Sequence, residues 1–177
     1  MAAAIAFGPA VGSLAGGTIL VRIYRPIGAP AGPLPLHVFL HGGGWCVGTL
    51  DERDPRCRAI AGEAGCVVAS VDYRMAPEHR FPVAVDDCLA ATRWAAAHAI
   101  ELNGDVSRIG VSGDSAGGNL AAVTAIRLRD EGGPALRAQL LVYPVVDADP
   151  AAYPSMTENA EGYLLSRKDM EWFVGHY

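Results

Sequence analysis

The sequence is poor in the residues that form metal centres, disulfide frameworks and nucleic-acid interfaces. No C-x-x-C pair occurs, and a zinc site or disulfide scaffold does not fit the spacing of the four cysteines, Cys46, Cys57, Cys66 and Cys88. We therefore expect reduced thiols in a cytoplasmic protein and no bound metal. Lysine and arginine together number 14 against 19 acidic side chains and form no basic stripe, so nucleic acid is not an expected partner.

Charge is absent from residues 1–21, which raises the question of a signal peptide or a membrane span. A signal peptide would begin with a basic region, and this segment has none. A membrane span needs ~20 consecutive apolar residues. Here the run is interrupted by Gly8, Pro9, Gly12, Gly16 and Gly17. We therefore expect neither, and predict a flexible, apolar lead-in.

The remaining composition is that of one globular domain covering residues 1–177. Hydrophobic residues make up 51% of the chain and charged residues 19%, and no repeat or domain boundary is visible. Apolar alternation and short apolar runs predict strands at 18–24, 37–40, 66–71, 108–112 and 138–145. Helical spacing and capping signals predict helices at 54–64, 82–99, 116–130 and 166–177. Strands that alternate with helices indicate an α/β fold with a mostly parallel sheet.

A G-x-S-x-G sequence lies where the predicted strand at 108–112 passes into the next helix. It reads Gly113-Asp114-Ser115-Ala116-Gly117. A nucleophile elbow requires this strand–turn–helix context, because its serine sits in a strained turn at the end of the sheet. The helix N-terminus also favours a developing negative charge there. We therefore predict that Ser115 is a catalytic nucleophile and that Asp114 fixes the turn; the alternative is a plain glycine-rich turn.

Three adjacent glycines follow the predicted strand at 37–40, in the run His41-Gly42-Gly43-Gly44-Trp45. Glycines at such a position expose backbone N–H groups and let a substrate approach closely, as an oxyanion hole for acyl transfer requires. We expect the amides of Gly42 and Gly43 to donate to the oxyanion together with that of Ala116. A glycine triplet alone indicates only a flexible turn, but its pairing with the Ser115 turn favours catalysis.

Four blocks of the sequence resemble the hormone-sensitive-lipase family of bacterial α/β-hydrolase esterases, the bacterial type IV group. In chain order they are HGGGW, VDYRMAPEHRFP, GDSAGGNLAA and LLVYPVVD. The resemblance implies an α/β-hydrolase fold and a lipase-like serine carboxylesterase. Such an enzyme forms an acyl-enzyme, here on Ser115, hydrolyses short-chain carboxylic esters and uses no cofactor. The resemblance also implies that His41 is a structural residue that supports the glycine loop with Gly44, rather than a general base.

A general base for Ser115 is not evident. Catalytic residues in this fold follow the order Ser, Asp or Glu, His, and the only histidine after Ser115 is His176. The family's acid block and its later His-Gly block are both absent. The chain thus resembles the first two-thirds of such an enzyme, without the last strands and most of the cap. Asp147 and His176 could form a substitute triad; otherwise they are a strand-end carboxylate and a surface histidine.

The apolar strand predicted at 138–145 is expected to lie at an edge of the sheet. Uncharged edge strands present unpaired backbone groups and pair readily with other chains. We therefore expect a homo-oligomer that forms through this strand.

The sequence leaves three functional hypotheses open. The first is a serine carboxylesterase that acts on a small-molecule ester. The second is a non-catalytic ligand-binding protein or an inactive fragment on the same fold, since gibberellin receptors resemble this family and lack a working triad. The third and weaker one is a peptidase or amidase, because the same triad serves acyl transfer in general. The acyl pocket could be lined by Trp45, Tyr73, Phe81 and Tyr143; the alternative for each of them is packing in the core.

Overall fold

The computed structural model describes residues 3–7, 11–12, 18–147, 149 and 153–177, the first two ranges by their backbone alone. The strands are β1 (Ala3–Phe7), β2 (Val11–Gly12), β3 (Thr18–Pro26), β4 (Leu34–Leu40), β5 (Val67–Asp72), β6 (Gly104–Asp114) and β7 (Ala138–Val142). The helices are α1 (Leu50–Ala64), α2 (Val83–Ala97), α3 (Ala116–Asp130), α4 (Ser155–Glu158) and α5 (Arg167–His176). Each predicted strand and helix corresponds to one of these elements; α3 has the predicted ends, and each of the others is shifted at one end or both.

The strands form a mixed sheet in the order β1-β3-β5-β4-β6-β7, with β2 paired to β3. β3 runs antiparallel to β1 and β5, whereas β4, β5, β6 and β7 are parallel to one another. The predicted α/β fold with a mostly parallel sheet is confirmed. Because Leu40 of β4 pairs with Gly113 of β6, the glycine loop and the Ser115 turn leave the sheet side by side. Ligand sites in sheets of this kind lie at the carboxyl ends of the strands.

Hydrophobic cores lie on both faces of the parallel strands. Alternating side chains of β4 divide between them: Val38 and Leu40 join the larger cluster with α2 and α3, and Phe39 joins the smaller one with Cys57 of α1. A fully buried aliphatic or aromatic side chain contributes about 1.5–3 kcal/mol relative to exposure. A one-residue slip of β4 would exchange the two faces, so burial fixes the position of the loop that follows the strand.

Helix α1 begins at Leu50, earlier than the start predicted from Asp54 and Pro55. Thr49 is the N-cap: its hydroxyl accepts a hydrogen bond from the Glu52 amide, and the Glu52 carboxylate accepts one from the Thr49 amide. This reciprocal pair satisfies two N–H groups that a helix start leaves free. The capping box thus sets the helix start, and Pro55 lies inside the helix.

Asp87 is a charged residue of α2 that the structure buries completely. Its carboxylate accepts two hydrogen bonds from the Arg74 guanidinium, at 2.7 and 2.9 Å, and a third from the Arg74 amide. Burial of a carboxylate is tolerated when it is paired and hydrogen-bonded in this way. The pair fastens the segment after β5 to α2, a contact that helical periodicity does not reveal.

Strand β7 ends at Val142 rather than at residue 145. Tyr143 adopts a left-handed conformation with φ 35°, and Pro144, which follows, has no N–H to donate to a ladder. β7 lies at the end of the strand order, and Leu140 on it is 60% exposed. The edge expected from the sequence is therefore present, in shorter form.

Part of the N-terminal region expected to be a flexible lead-in forms strands. β1 pairs with β3 from Ala3 opposite Pro26 to Phe7 opposite Arg22, and β2 adds a short second pairing. Strands pair through backbone hydrogen bonds, which a segment without charged side chains can also form. Residues 1–2, 8–10 and 13–17 of the lead-in lie outside the described residues. In the described ranges, no helix is long and apolar enough to cross a membrane.

His37 connects two central strands of the sheet. Its Nε2 atom lies 2.7 Å from the Ser112 hydroxyl on β6. Burial lowers the pKa of the imidazole to about 4, because the charged form loses hydration between the strands. The side chain is therefore neutral at pH 7.

Candidate active site

Ser115 occupies a strained turn between β6 and α3. Its φ and ψ are 55° and −120°, a conformation that is unfavourable for a residue with a Cβ atom. The turn is held from both sides, because the Ser115 amide donates to Val142 O at 2.9 Å and its carbonyl accepts from the Val145 amide. The predicted strand–turn–helix arrangement is confirmed.

Two glycines allow the elements of this turn to approach one another. A Cβ atom on Gly113 would collide with the carbonyl of Gly117, and one on Gly117 would collide with the carbonyls of Leu40 and His41. Helix α3 therefore starts in backbone contact with the end of β4. This close approach brings Ser115 next to the glycine loop.

The strain at Ser115 predicts that Ser115→Gly is more stable than Ser115→Ala. Both variants lack the hydroxyl, but only alanine keeps the Cβ that strains the turn. We expect Ser115→Gly to have the larger free energy of unfolding, by about 1 kcal/mol after the higher chain entropy of glycine is subtracted. Urea unfolding of the two variants measures this difference. Equal midpoints would show that the turn carries no strain.

The backbone of the glycine loop, like that of Ser115, has positive φ angles. Gly43, Gly44 and Trp45 have φ values of 132°, 57° and 60°. Gly43 and Gly44 line the same cavity as Ser115. The Gly42 amide instead donates to Asp114 Oδ1 at 3.3 Å, so its assignment as an oxyanion donor is corrected.

Ala116 is the first residue of α3. At this position an amide has no acceptor within its own helix. The amide therefore remains available at the helix N-terminus, directly after Ser115. This is the placement that the sequence assigned to the third oxyanion donor.

Asp114 joins the glycine loop to α1. Its nearly buried carboxylate accepts from the Gly42 amide and lies 3.0 Å from the Arg56 guanidinium. Arg53, on the same helix, donates from Nη2 to the Gly42 carbonyl at 3.2 Å. These contacts connect Asp114 to the glycine loop and to α1, and its role in fixing the Ser115 turn stays a prediction. The two arginines were missed, although their spacing of three on a helix that follows the loop was a usable signal.

His41 is fully buried behind the loop. Its Nδ1 atom lies 2.9 Å from the Gly42 carbonyl, which only accepts, so Nδ1 carries the proton. The ring stacks on Tyr73 with centroids 4.3 Å apart, and the Tyr73 hydroxyl donates to His41 O at 2.7 Å. Burial lowers the pKa of His41, which keeps it neutral. These contacts are those of a residue that supports the loop.

Helix α5 covers the side of the glycine loop opposite His41. The ring of Phe173 lies so close to Gly44 that a Cβ atom there would collide with it. Tyr177, after the end of α5, stacks on Trp45 with centroids 4.3 Å apart, and its carbonyl accepts from the Phe81 amide at 2.9 Å. The capping box predicted at Ser166 and Asp169 is confirmed as the start of this helix.

A cavity of about 680 Å³ contains both Ser115 and the glycine loop. Its apolar wall comes from α4, α5 and the segment between them, and includes Met156, Leu164, Leu165, Met170, Phe173 and Val174. Its charged lining residues are Arg53, Arg56, Asp114, Asp147, Asp149 and Glu171. Of the aromatic residues suggested for an acyl pocket, Trp45 and Tyr143 line this cavity. Tyr73 is buried behind the loop instead, and Phe81 lines a smaller neighbouring cavity.

The substitute triad suggested by the sequence does not form. Asp147 lines the cavity and accepts from the Tyr153 hydroxyl at 3.0 Å. His176 does not line it: Nδ1 lies 2.7 Å from the Trp172 carbonyl, and the ring packs on the Trp172 indole. In the part of the chain that the structure describes, no histidine lines the cavity with Ser115.

The thiols also stay apart. All four cysteines are free, and Cys57, Cys66 and Cys88 are buried. Among the described residues, no group of three or more histidine, cysteine, aspartate or glutamate side chains is arranged to hold a metal ion.

Comparison with known proteins gives a consistent set of relatives. A family model described as alpha/beta hydrolase fold matches residues 37–177. Carboxylesterase NlhH of Mycobacterium tuberculosis is 51% identical over 159 residues, which cover 90% of this chain and 49% of that protein. The ethyl acetate hydrolase of Pseudomonas putida is 43% identical over 166 residues, covering 92% of this chain and 51% of that enzyme. The chain therefore spans about half the length of the curated relatives it matches.

Solved structures of hydrolases superpose on this chain as well. A hyperthermophilic esterase from Pyrobaculum calidifontis superposes with a TM-score of 0.91 and 41% identity, covering 98% of this chain and 55% of that one. An alpha/beta hydrolase from the metagenome of Lake Arreo has a TM-score of 0.93 and 40% identity, covering 100% of this chain and 55% of that one.

Proposed function

Because the chain belongs to the alpha/beta hydrolase fold family, we propose that it functions in the hydrolysis of short-chain carboxylic esters through an acyl-enzyme on Ser115. The observation that carries this proposal is the shared cavity: Ser115 in its strained turn and Gly43 and Gly44 of the glycine loop line the same space. The apolar wall from α5 suits a short acyl or alkyl chain. Relatives named as a carboxylesterase and as an ethyl acetate hydrolase support the same activity.

In the proposed reaction, the Ser115 hydroxyl attacks the ester carbonyl while its proton passes to a general base. The carbonyl oxygen becomes an oxyanion and accepts hydrogen bonds from Ala116, Gly43 and the neighbouring Gly44 amide. Each such donor is worth about 10² to 10³ in rate. The tetrahedral intermediate then expels the alcohol, which takes up a proton, and water hydrolyses the acyl-enzyme.

Histidine, the usual proton acceptor of a serine hydrolase, does not line the cavity in the part of the chain that the structure describes. A serine hydrolase deprived of its base falls by about 10⁶ in turnover but retains about 10³ to 10⁴ over water through binding and the oxyanion hole. We therefore expect slow ester hydrolysis by the 177-residue chain itself. Peptides and amides, whose leaving groups are poorer, should be cleaved more slowly still.

The direct test is hydrolysis of 4-nitrophenyl acetate and butyrate by the chain and by Ser115→Ala. We expect the variant to be slower by about tenfold or more, since it lacks the attacking oxygen. A fluorophosphonate probe should add covalently to Ser115 alone, as seen by mass spectrometry. Ser155→Ala, which removes an exposed serine of α4, is the matched control and should behave as the unaltered chain. Equal rates for Ser115→Ala and the unaltered chain, without labelling, would refute the esterase proposal.

A non-catalytic binding protein is the second candidate. It is favoured by one observation, the absence of histidine from the cavity lining in the described residues. Such a protein would bind a short ester without consuming it. Calorimetric binding of ethyl butyrate without measurable product would select this alternative over the esterase.

We also propose self-association through β7. The strand carries no charged residue or proline to prevent pairing, and Leu140 and Val142 on it are exposed. Light scattering at increasing concentration should show dimers or larger species, and Leu140→Lys should shift them toward monomer. Gln139→Lys would be a poorer control because it lies on the same strand, so Ile126→Lys on α3 serves instead. A monodisperse monomer at high concentration would contradict the proposal.

The free state of the four cysteines supports the cytoplasmic location expected from the sequence.

A further inference from the structure

Two cations from one face of α1 line the proposed active-site cavity. Arg53 and Arg56 are three residues apart, so they project from neighbouring positions of the helix surface. Each is anchored beside the reacting centre: Arg53 Nη2 on the Gly42 carbonyl, and Arg56 Nη1 on Asp114 Oδ1. The residues that they contact adjoin Gly43 and Ser115 directly in the chain.

The two arginines differ in how far their charge is balanced. Arg56 pairs with the carboxylate of Asp114. Within the described residues, Arg53 forms no salt bridge, and its buried Nε–H has no hydrogen-bond partner. A guanidinium has five N–H donors in a planar fork that matches a carboxylate. Arg53 therefore combines an unbalanced charge with unused donors in the wall of the cavity.

Three of the four acidic residues that line the cavity have partners described here. Asp114 is held by Arg56, and Glu171 pairs with Arg167 at 2.7 Å. Asp147 accepts from the Tyr153 hydroxyl and from the Asp149 amide, both within the segment after β7. None of these described contacts neutralises Arg53.

We propose that Arg53, next to Arg56, binds a carboxylate carried by the substrate, so that the preferred substrates are short esters bearing an anionic group. This inference rests on the proposed esterase function and specifies its substrate class. Because Arg53 contacts the glycine loop itself, the bound carboxylate lies a few bonds from the ester carbonyl. Monoesters of short dicarboxylic acids have that geometry. The carboxylate stays intact, and only the ester bond is cleaved.

The test compares an anionic and a neutral ester of similar length, mono-4-nitrophenyl glutarate and 4-nitrophenyl pentanoate. We expect Arg53→Gln to lower the ratio of their kcat/KM values by about 10- to 100-fold, the range that a charge-assisted hydrogen bond provides. The ratio cancels any general damage to the glycine loop. Arg53→Lys keeps the charge but not the planar fork, so it should keep only part of the preference. Arg93→Gln removes the same charge from a surface ion pair with Glu131 and should leave the ratio unchanged.

A second pair of substrates places the carboxylate on the alcohol side: the butyrate ester of glycolic acid against ethyl butyrate. A preference that depends on Arg53 in either pair supports the proposal and shows which side of the ester carries the charge. Ratios that Arg53→Gln leaves unchanged in both pairs, or that Arg93→Gln lowers equally, would overturn it.

Measuring the binding of an anionic ester to variants that lack the Ser115 hydroxyl tests the anion site independently of the proposed activity. Monomethyl glutarate is titrated calorimetrically into Ser115→Ala and into Ser115→Ala combined with Arg53→Gln. We expect the dissociation constant to rise about 10-fold or more in the double variant, and binding to weaken with added salt. If no ester is turned over but this difference appears, the esterase proposal fails and the anion site stands. Equal affinities of the two variants, or no binding to either, would overturn the anion site.

Discussion

Replacing Gly117 by alanine is expected to destabilise the fold by about 3 kcal/mol or more, beyond the usual effect of an added methyl group in a packed core. The new Cβ would collide with the carbonyls of Leu40 and His41, which are buried backbone atoms at the end of β4. A flexible side chain could move aside, but these carbonyls move only if β4 shifts against β6. Thermal and urea unfolding followed by circular dichroism measure the loss.

Gly175→Ala is the matched control for this prediction. It adds the same methyl group to a glycine inside α5, where nothing lies within 4 Å of the new atom. Alanine is favoured over glycine in a helix interior by about 1 kcal/mol. We therefore expect Gly175→Ala to be neutral or slightly stabilising. A Gly117→Ala protein as stable as the Gly175→Ala protein would mean that α3 does not start in contact with β4.

Acidification from pH 7 toward pH 4 is expected to lower the free energy of unfolding through His37. The pKa of this imidazole is about 4 in the folded protein and 6.5 as the ordinary value, so the unfolded chain binds the proton more readily. Stability from this group is therefore complete above pH 6.5 and is lost as the pH falls toward 4. The gap between the two pKa values corresponds to about 3 kcal/mol.

His37→Gln isolates this contribution. Glutamine does not titrate, and its amide can still contact the Ser112 hydroxyl. Urea unfolding of both proteins at several pH values should show a shallower pH dependence for the variant between pH 6.5 and 4. His41, whose pKa is also lowered by burial, is present in both proteins and cancels in the difference. Parallel pH curves would contradict the assignment to His37.

Features that depend on residues close together in the sequence were predictable from it. The Ser115 turn, helix α3 and the capping box at Ser166 each depend on residues within a few positions of one another. The glycine loop was recognised for the same reason. Its internal assignment was wrong at Gly42, because the direction of that amide depends on Asp114, which belongs to another strand. Consecutive glycines do not encode which N–H faces the cavity.

Features that depend on distant residues were not predictable in the same way. The burial of Asp87 depends on its pairing with Arg74 on the preceding segment, which helical periodicity does not reveal. The start of α1 is a local feature that the prediction missed: the capping box of Thr49 and Glu52 places Arg53 on the helix, whereas the sequence prediction began at Asp54 and Pro55. The position of His176 is set by its own helix, where it bonds to the Trp172 carbonyl. Chain order could not supply that geometry.

Because α5 packs on the glycine loop, the site is completed later in folding than the sheet that carries it. Gly44 and Trp45 receive their covering side chains from Phe173 and Tyr177, which a ribosome adds long after the loop has emerged. The pairing of β4 with β5 and β6 joins earlier parts of the chain and can precede this step. Contacts between residues so far apart in sequence form late because they close the longest loops. The sheet that carries Ser115 can therefore form during synthesis, while the loop beside it acquires its final shape only when α5 docks.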